Sequence, residues 1–263
     1  MPGDNTTAVF KDHFSAVAVD YAQARPDYPE ALYGWIASIA PGRARVWEAG
    51  CGSGQASRGL ARHFRHVFAT DPSAAQIAQA SGPENVAFAV EPGERCSLAD
   101  ASVDAICVAQ ALHWFDREAF FAECGRVLKP AGVLVAWGYQ DIQVPPAVAG
   151  ANAALQEEIR AYWPPERDLI DQAYARFCWP FEALQVPDFD LSAQWPLTRL
   201  LGYFSSYSAT RRFREATGRD PVAAHAHALA KAWGDPGTAR TVRWPMFVHA
   251  RRKLRADRAR TAN

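Results

Sequence analysis

The run Arg45-Val46-Trp47-Glu48-Ala49-Gly50-Cys51-Gly52-Ser53-Gly54-Gln55 constrains the fold more than any other stretch. A short β-prone segment enters a turn with glycine at three alternate positions, and a helical pattern follows over residues 55–64. Glycine lets the backbone turn tightly and lie close against a bound molecule. One glycine would satisfy a bare strand-to-helix turn. Three in this context point to a ligand site.

The spacing also selects among ligands. The dinucleotide fingerprint G-x-G-x-x-G seats a pyrophosphate on a helix N-terminus. Here the pattern is G-x-G-x-G, with Glu48 two residues ahead of Gly50. A carboxylate there opposes a pyrophosphate and suits an ammonium group. S-adenosylmethionine carries an amine, a carboxylate and a positive sulfonium but no phosphate, so it is the expected cofactor, with S-adenosylhomocysteine as product. Glu48 would serve the amine directly or through water. Asp71 closes the next expected strand in Ala69-Thr70-Asp71-Pro72, where a carboxylate reaches ribose hydroxyls in related sheets. Its other reading is a helix N-cap, with Pro72 in the first turn.

Strands are expected over residues 45–49, 66–70, 86–90, 103–108 and 133–137, with helices over 55–64, 73–80 and 116–128 between them. Such alternation means βαβ units and a parallel sheet covered on both faces. Ahead of it, Phe10, Phe14, Val17 and Tyr21 recur at helical spacing until Arg25-Pro26-Asp27-Tyr28-Pro29, and a second helix is expected over 31–39. After Tyr139 the alternation breaks. Helices are expected over 147–163, 166–178, 197–217 and 221–233, extended pieces within 181–195 and a last strand over 240–250. The expected organisation is one overall domain. It comprises lid helices at 1–40 that close on the cofactor, a cofactor-binding core at 41–140, and a helical cap plus the last strands of the sheet at 141–263.

Composition narrows the partners. Lysine and arginine together number 28, balanced by 28 acids, whereas a nucleic-acid binder normally shows a basic excess. The five cysteines are widely spaced with no Cys-x-x-Cys, which fits a reducing compartment. No apolar run approaches the ~18 residues of a membrane span, and the first residues show no basic-then-apolar signal pattern. A soluble, cytoplasmic protein is expected, a monomer or weak homodimer, with no membrane, nucleic-acid or metal partner.

Residues 46–137 resemble the class I S-adenosylmethionine-dependent methyltransferases. The resemblance is carried by Glu48 to Gly54, Asp71, the run Ser102-Val103-Asp104-Ala105-Ile106-Cys107-Val108, Ala109 to Phe115, and Arg126-Val127-Leu128-Lys129-Pro130-Ala131-Gly132. It implies an α/β fold: a Rossmann-like seven-stranded, mostly parallel sheet with helices on both faces, an N-terminal helical lid and a cap inserted in the C-terminal half. The segments 21–29, His113-Trp114-Phe115 and 203–212 resemble a trans-aconitate methyltransferase-like subgroup acting on small carboxylic acids. By resemblance, the backbone at Gly50 and Gly52, with Gly54 in the same turn, approaches the cofactor and Asp71 holds the ribose. An acid after the third strand usually meets the adenine. Proline stands in that region, in Glu91-Pro92-Gly93-Glu94, leaving Glu94 or the backbone as the candidate. Arg25 would pair with the methionine carboxylate, or be a surface arginine.

Methyl transfer from a sulfonium needs alignment and a dry site more than a catalytic triad. Gln110 is a candidate hydrogen-bonding partner of cofactor or substrate at the sheet's carboxyl edge. His113 is the one candidate base, or else packs as the pocket floor. Trp114, Tyr203 and Tyr207 are candidates for the acceptor pocket. Arg211 and Arg212 would recognise a carboxylate, or lie on a solvated helix face. The rival readings are a nicotinamide-dependent oxidoreductase on the same sheet and a non-catalytic S-adenosylmethionine-binding protein.

Overall fold

The computed structural model describes residues 25–254. The expected lid helix through Phe10, Phe14, Val17 and Tyr21, and the basic tail beyond residue 254, lie outside that range.

Seven strands form the main sheet. They are β1 (Arg45–Ala49), β2 (His66–Asp71), β3 (Val86–Val90), β4 (Val103–Ala109), β5 (Leu128–Tyr139), β6 (Glu182–Ala183) and β9 (Met246–Arg252), in the order β3-β2-β1-β4-β5-β9-β6. From β3 to β5 every pairing is parallel, and β9 runs antiparallel to both β5 and β6. The strand order reverses beside β1, so the loops after β1 and β4 open the crevice in which α/β sheets bind ligands. The expected α/β fold is the observed one.

The central strands read as continuous apolar runs because both faces are buried. In β5, Val133, Val135 and Trp137 pack on one face while Leu134 and Ala136 pack on the other. The first face carries α1 (Glu30–Ile39) and α2 (Gln55–Leu60); the second carries α4 (Arg117–Val127), whose N-cap Asp116 accepts from Glu118 N and Ala119 N. Between them in sequence, α3 (Ala74–Gln79) joins β2 to β3. Asp104, buried in β4, ties three segments together. Its Oδ2 accepts from Ala44 N and Arg45 N, each at 2.9 Å, and its Oδ1 lies 2.7 Å from Lys129 Nζ.

The structure departs from the expected pattern in four places, one in the core and three in the cap. The Lys129-Pro130-Ala131-Gly132 turn is absorbed into β5, which pairs with β4 from Leu128 onward across an irregular register. Over 166–178 only Arg167–Asp171 is helical (α6), because Ala173 and Tyr174 take left-handed φ values of 49° and 55°. The helix expected over 197–217 is two, α7 (Leu197–Ser205) and α8 (Ser208–Thr217), parted where Tyr207 turns extended. The last expected strand is also two. Arg240–Trp244 (β8) pairs with Leu191–Trp195 (β7) in a separate small sheet, and Met246 begins β9 in the main sheet. Pro245 separates them, as a residue with no N–H to give a ladder.

The remaining helices are α5 (Ala149–Ile159) and α9 (Pro221–Trp233), capped by Asp220. Cys51, Cys96, Cys107 and Cys124 are buried free thiols and Cys178 is exposed. Among the described residues no helix is long and apolar enough to cross a membrane.

Candidate active site

At the end of β1 the chain reverses on three left-handed glycines, with φ of 72°, 54° and 87° at Gly50, Gly52 and Gly54. Gly50 N and Cys51 N donate to Thr70 O, holding the turn against β2. A Cβ at Gly50 would sit 2.6 Å from Ala111 Cβ, and one at Gly54 2.8 Å from the Phe88 ring. These two glycines are therefore closed against the protein itself. At Gly52 the nearest atom to a Cβ is Gln76 Oε1 at 3.7 Å, so this is the open face of the turn.

Glu48 lies beneath the turn, 1% exposed, accepting a hydrogen bond from Ser57 Oγ. Burial pushes its carboxyl up to about 8, opposed by the Ser57 bond. No cation stands within hydrogen-bond distance of it among the described residues. A ligand that brings an ammonium fits this vacancy of charge. Asp71 is not the N-cap of the following helix. That role falls to Ser73, whose Oγ accepts from Gln76 N. Asp71 instead accepts from Gly52 N through Oδ2 and from Ser73 N through Oδ1, both at 2.9 Å. Pro72 lies half-buried between them. Glu94 Oε1 accepts from Asp116 N at 2.8 Å, so this carboxylate links its loop to the start of α4. Phe115 lies between the two loops, its ring 2.9 Å from where a Gly93 Cβ would stand and 3.1 Å from one at Gly50. These features fit S-adenosylmethionine: an open left-handed turn, a buried acid without a cation, and a carboxylate at the second strand end.

Next to the turn, beyond the carboxyl end of β4, a cavity of about 160 Å³ opens between the sheet and the cap. From the core side it is lined by Arg25, Gln110, His113, Trp114 and Tyr139. From the cap come Tyr203, Tyr207, Arg211, Trp163, Arg167, Asp141 and Arg214, among others. Arg212, one residue along α8 from Arg211, is not in the lining. Neighbouring helix positions face directions about 100° apart.

Gln110 enters the cavity from a left-handed backbone, φ 52°, which its amide nitrogen steadies by donating to Tyr139 O. Its Oε1 is buried with no partner among the described residues. The Arg25 guanidinium spreads over the Tyr203 and Tyr207 rings, 5.3 and 5.9 Å from their centroids, with Nη1 3.4 Å from Tyr139 Oη. The structure thus places Arg25 on the cavity, beside the aromatic wall. Burial raises the pKa of both tyrosines.

His113, in a 3-10 turn at Leu112–Trp114, is 8% exposed, with Nδ1 2.9 Å from Tyr174 Oη. Burial, with the Arg167 charge adding to it, drives its pKa down to about 3. A ring so hard to protonate is a poor proton acceptor at neutral pH.

Arg167 and Trp163 escaped the sequence reading. Arg167 stacks 4.3 Å from the Trp163 ring centroid and bridges Asp141 and Asp171. Only the i,i+4 spacing of Arg167 and Asp171 hinted at it, and that spacing is common on any helix surface. The same holds for Tyr174, which reaches His113 from 61 residues away.

A family model described as a methyltransferase domain matches residues 47–136. A Dictyostelium discoideum protein named as a methyltransferase is 33% identical over 236 residues, covering 87% of this chain and 89% of its own length. The 2-methyl-6-phytyl-1,4-hydroquinone methyltransferase of Synechocystis is 33% identical over 135 residues, covering 48% of this chain and 42% of its own. Among solved structures, one from Anaeromyxobacter dehalogenans described as a type II methyltransferase superposes with a TM-score of 0.83 at 42% identity. It covers 88% of this chain and 99% of its own.

Proposed function

The chain belongs to the class I methyltransferase family, and on that premise we propose that it moves a methyl group from S-adenosylmethionine to a small anionic acceptor, a carboxylic acid, in the cavity beneath the cap. One observation carries the choice of acceptor. Four arginines, Arg25, Arg167, Arg211 and Arg214, line the cavity against one lining carboxylate, Asp141; the acids that also pair with Arg167, Arg211 and Arg214, namely Asp171, Glu215 and Asp220, lie outside the lining. In a partly enclosed site of low effective dielectric a wall richer in arginine than in acid favours an anion. The volume, about 160 Å³, is close to the roughly 150 Å³ that admits benzene. It suits an acid of a few carbons. This supports the resemblance to the methyltransferases of small carboxylic acids.

When bound, S-adenosylmethionine supplies a methyl group already activated on a sulfonium. The chain's own groups then bind and align. Gly52 offers its open turn, Glu48 faces the amine directly or through water, and Asp71 keeps the turn in place while reaching the ribose. Arg25 and Arg211 hold the acceptor, Trp114, Tyr203 and Tyr207 exclude water from it, and Gln110, its amide nitrogen tied to Tyr139 O, stands between the two. A carboxylate needs no base. The residues of the cavity would have only to align its oxygen with the methyl group and exclude water, and none of them would move a proton.

The test is transfer of labelled methyl from S-adenosylmethionine to a panel of small carboxylic acids and their matched amides and alcohols. Acids are expected to be methylated, with Arg211→Met raising KM tenfold or more. Turnover of the amides or alcohols alone would overturn the reading.

A further inference from the structure

His113 and Tyr174 form a buried pair whose purpose neither packing nor base catalysis explains. Tyr174 is 1% exposed, stacked on Phe177 with ring centroids 4.7 Å apart and edge-on to Phe247 at 4.9 Å. Its backbone and that of Ala173 are both left-handed, at φ 55° and 49°. A left-handed backbone strains any residue that carries a Cβ. His249 Nε2 and Ala173 O, 2.7 Å apart, brace the bend. The chain thus accepts strain to bring one hydroxyl to Nδ1 of His113, at 2.9 Å.

We propose that Tyr174 locks His113 in the Nε2–H tautomer, so that the ring serves the cavity as a fixed hydrogen-bond donor to the acceptor and takes no proton from it. The hydroxyl has one proton to give. Tyr174 Oη has no other hydrogen-bond acceptor within reach among the described residues, so the hydroxyl proton goes to Nδ1, and a neutral imidazole then carries its own proton on Nε2. Nε2 has no partner among the described residues, yet it is not among the sealed-off polar atoms, and the ring lines the cavity. Its small exposure is exposure to the cavity.

The surroundings keep the ring neutral. Arg167, on α6, is the charge whose field reaches it, on top of burial. Across the cavity stand Arg25, Arg211 and Arg214 with Asp141, and behind them Glu215 pairs with Arg211 and Asp220 with Arg214. The specificity follows, resting on the anionic reading above. An acceptor that must first lose a proton, such as an alcohol or an ammonium, finds no taker in His113. One already deprotonated at the atom to be methylated meets a donor that strengthens as charge-assisted hydrogen bonds do.

Long-range proton–nitrogen NMR on the full chain with labelled histidine tests this. One of the seven histidines, assigned by its loss in His113→Gln, should show a protonated Nε2 and a bare Nδ1 unchanged from pH 5 to 9. In Tyr174→Phe the same ring should mix tautomers and titrate at higher pH. An Nδ1–H tautomer in the wild type, or titration between pH 5 and 8, would overturn the proposal. Benzoate added to the protein saturated with S-adenosylhomocysteine should shift the Nε2 proton. Benzoate that perturbs Trp114 and leaves that proton unmoved would overturn the donor role. Absence of any benzoate effect would count against the anionic acceptor itself, and the tautomer result would still decide the lock.

Discussion

With its pKa at about 8, Glu48 holds a proton at neutral pH in the ligand-free protein. The unfolded chain loses that proton near the ordinary carboxyl value of 4.5. Between these two values the folded state binds more protons, so this group's contribution to stability falls as pH rises across the window. His113 works in the opposite sense. Its folded pKa of about 3 lies below the ordinary 6.5, and its contribution is lost as pH falls between those values. From pH 6.5 to 8 only Glu48 of the two is active. There Glu48→Gln should flatten the decline of urea midpoint with pH that the wild type shows. An ammonium beside Glu48 reverses its preference, so S-adenosylhomocysteine binding at pH 7 should release about one proton, measured by calorimetry in buffers of different ionisation heat. Glu48→Gln should bind with none released. At Asp71, loss of both amide contacts and the ribose contact should weaken S-adenosylhomocysteine at least tenfold in Asp71→Ala, about 1.4 kcal/mol. Unchanged affinity would remove Asp71 from the site.

At the scale of elements, Asp104 makes the start of β1, the middle of the sheet and Lys129 depend on one side chain. Asp104→Ala strands two backbone amides and a lysine that is one-third exposed, which should cost about 2–4 kcal/mol in denaturant unfolding. Affinity for S-adenosylhomocysteine, bound at the other end of these strands, should hardly change. The elements from 45 to 127 were legible because each signals itself locally, by apolar runs and by glycines at the turn. The cap was legible only in outline. Nothing local announces left-handed Ala173 and Tyr174, which tertiary contacts with Phe177, Phe247 and His113 hold in place. Pro245 stands inside the strand expected over 240–250, and a proline between two apolar runs does not say that they join different sheets. For the site, the turn residues carry a readable pattern, while Arg167 reaches the cavity and Tyr174 reaches His113 only through folding at a distance. Arg211 and Arg212 are equivalent on paper and differ only by helix phase.

For the whole molecule, the proposed cofactor and acceptor sites meet at Gln110 but otherwise draw on different parts of the chain. Hydrogen exchange should therefore change in two separable steps. S-adenosylhomocysteine should protect residues 48–55 and 71–73, and an acid acceptor added afterwards should protect 203–211. Full protection of the cap by S-adenosylhomocysteine alone would mean that the two sites close together. The way the cap is joined to the sheet carries a consequence for how such proteins diversify. The chain leaves the main sheet at Tyr139 and re-enters at Met246, and these two residues are paired neighbours. Apart from the brief return of β6, the intervening stretch is inserted through one doorway. A single recombination cassette bounded there would exchange most of the cavity lining and leave the turn at Gly50–Gly54 untouched. Heredity can thus redirect the methyl group to a new acceptor while inheriting its source unchanged.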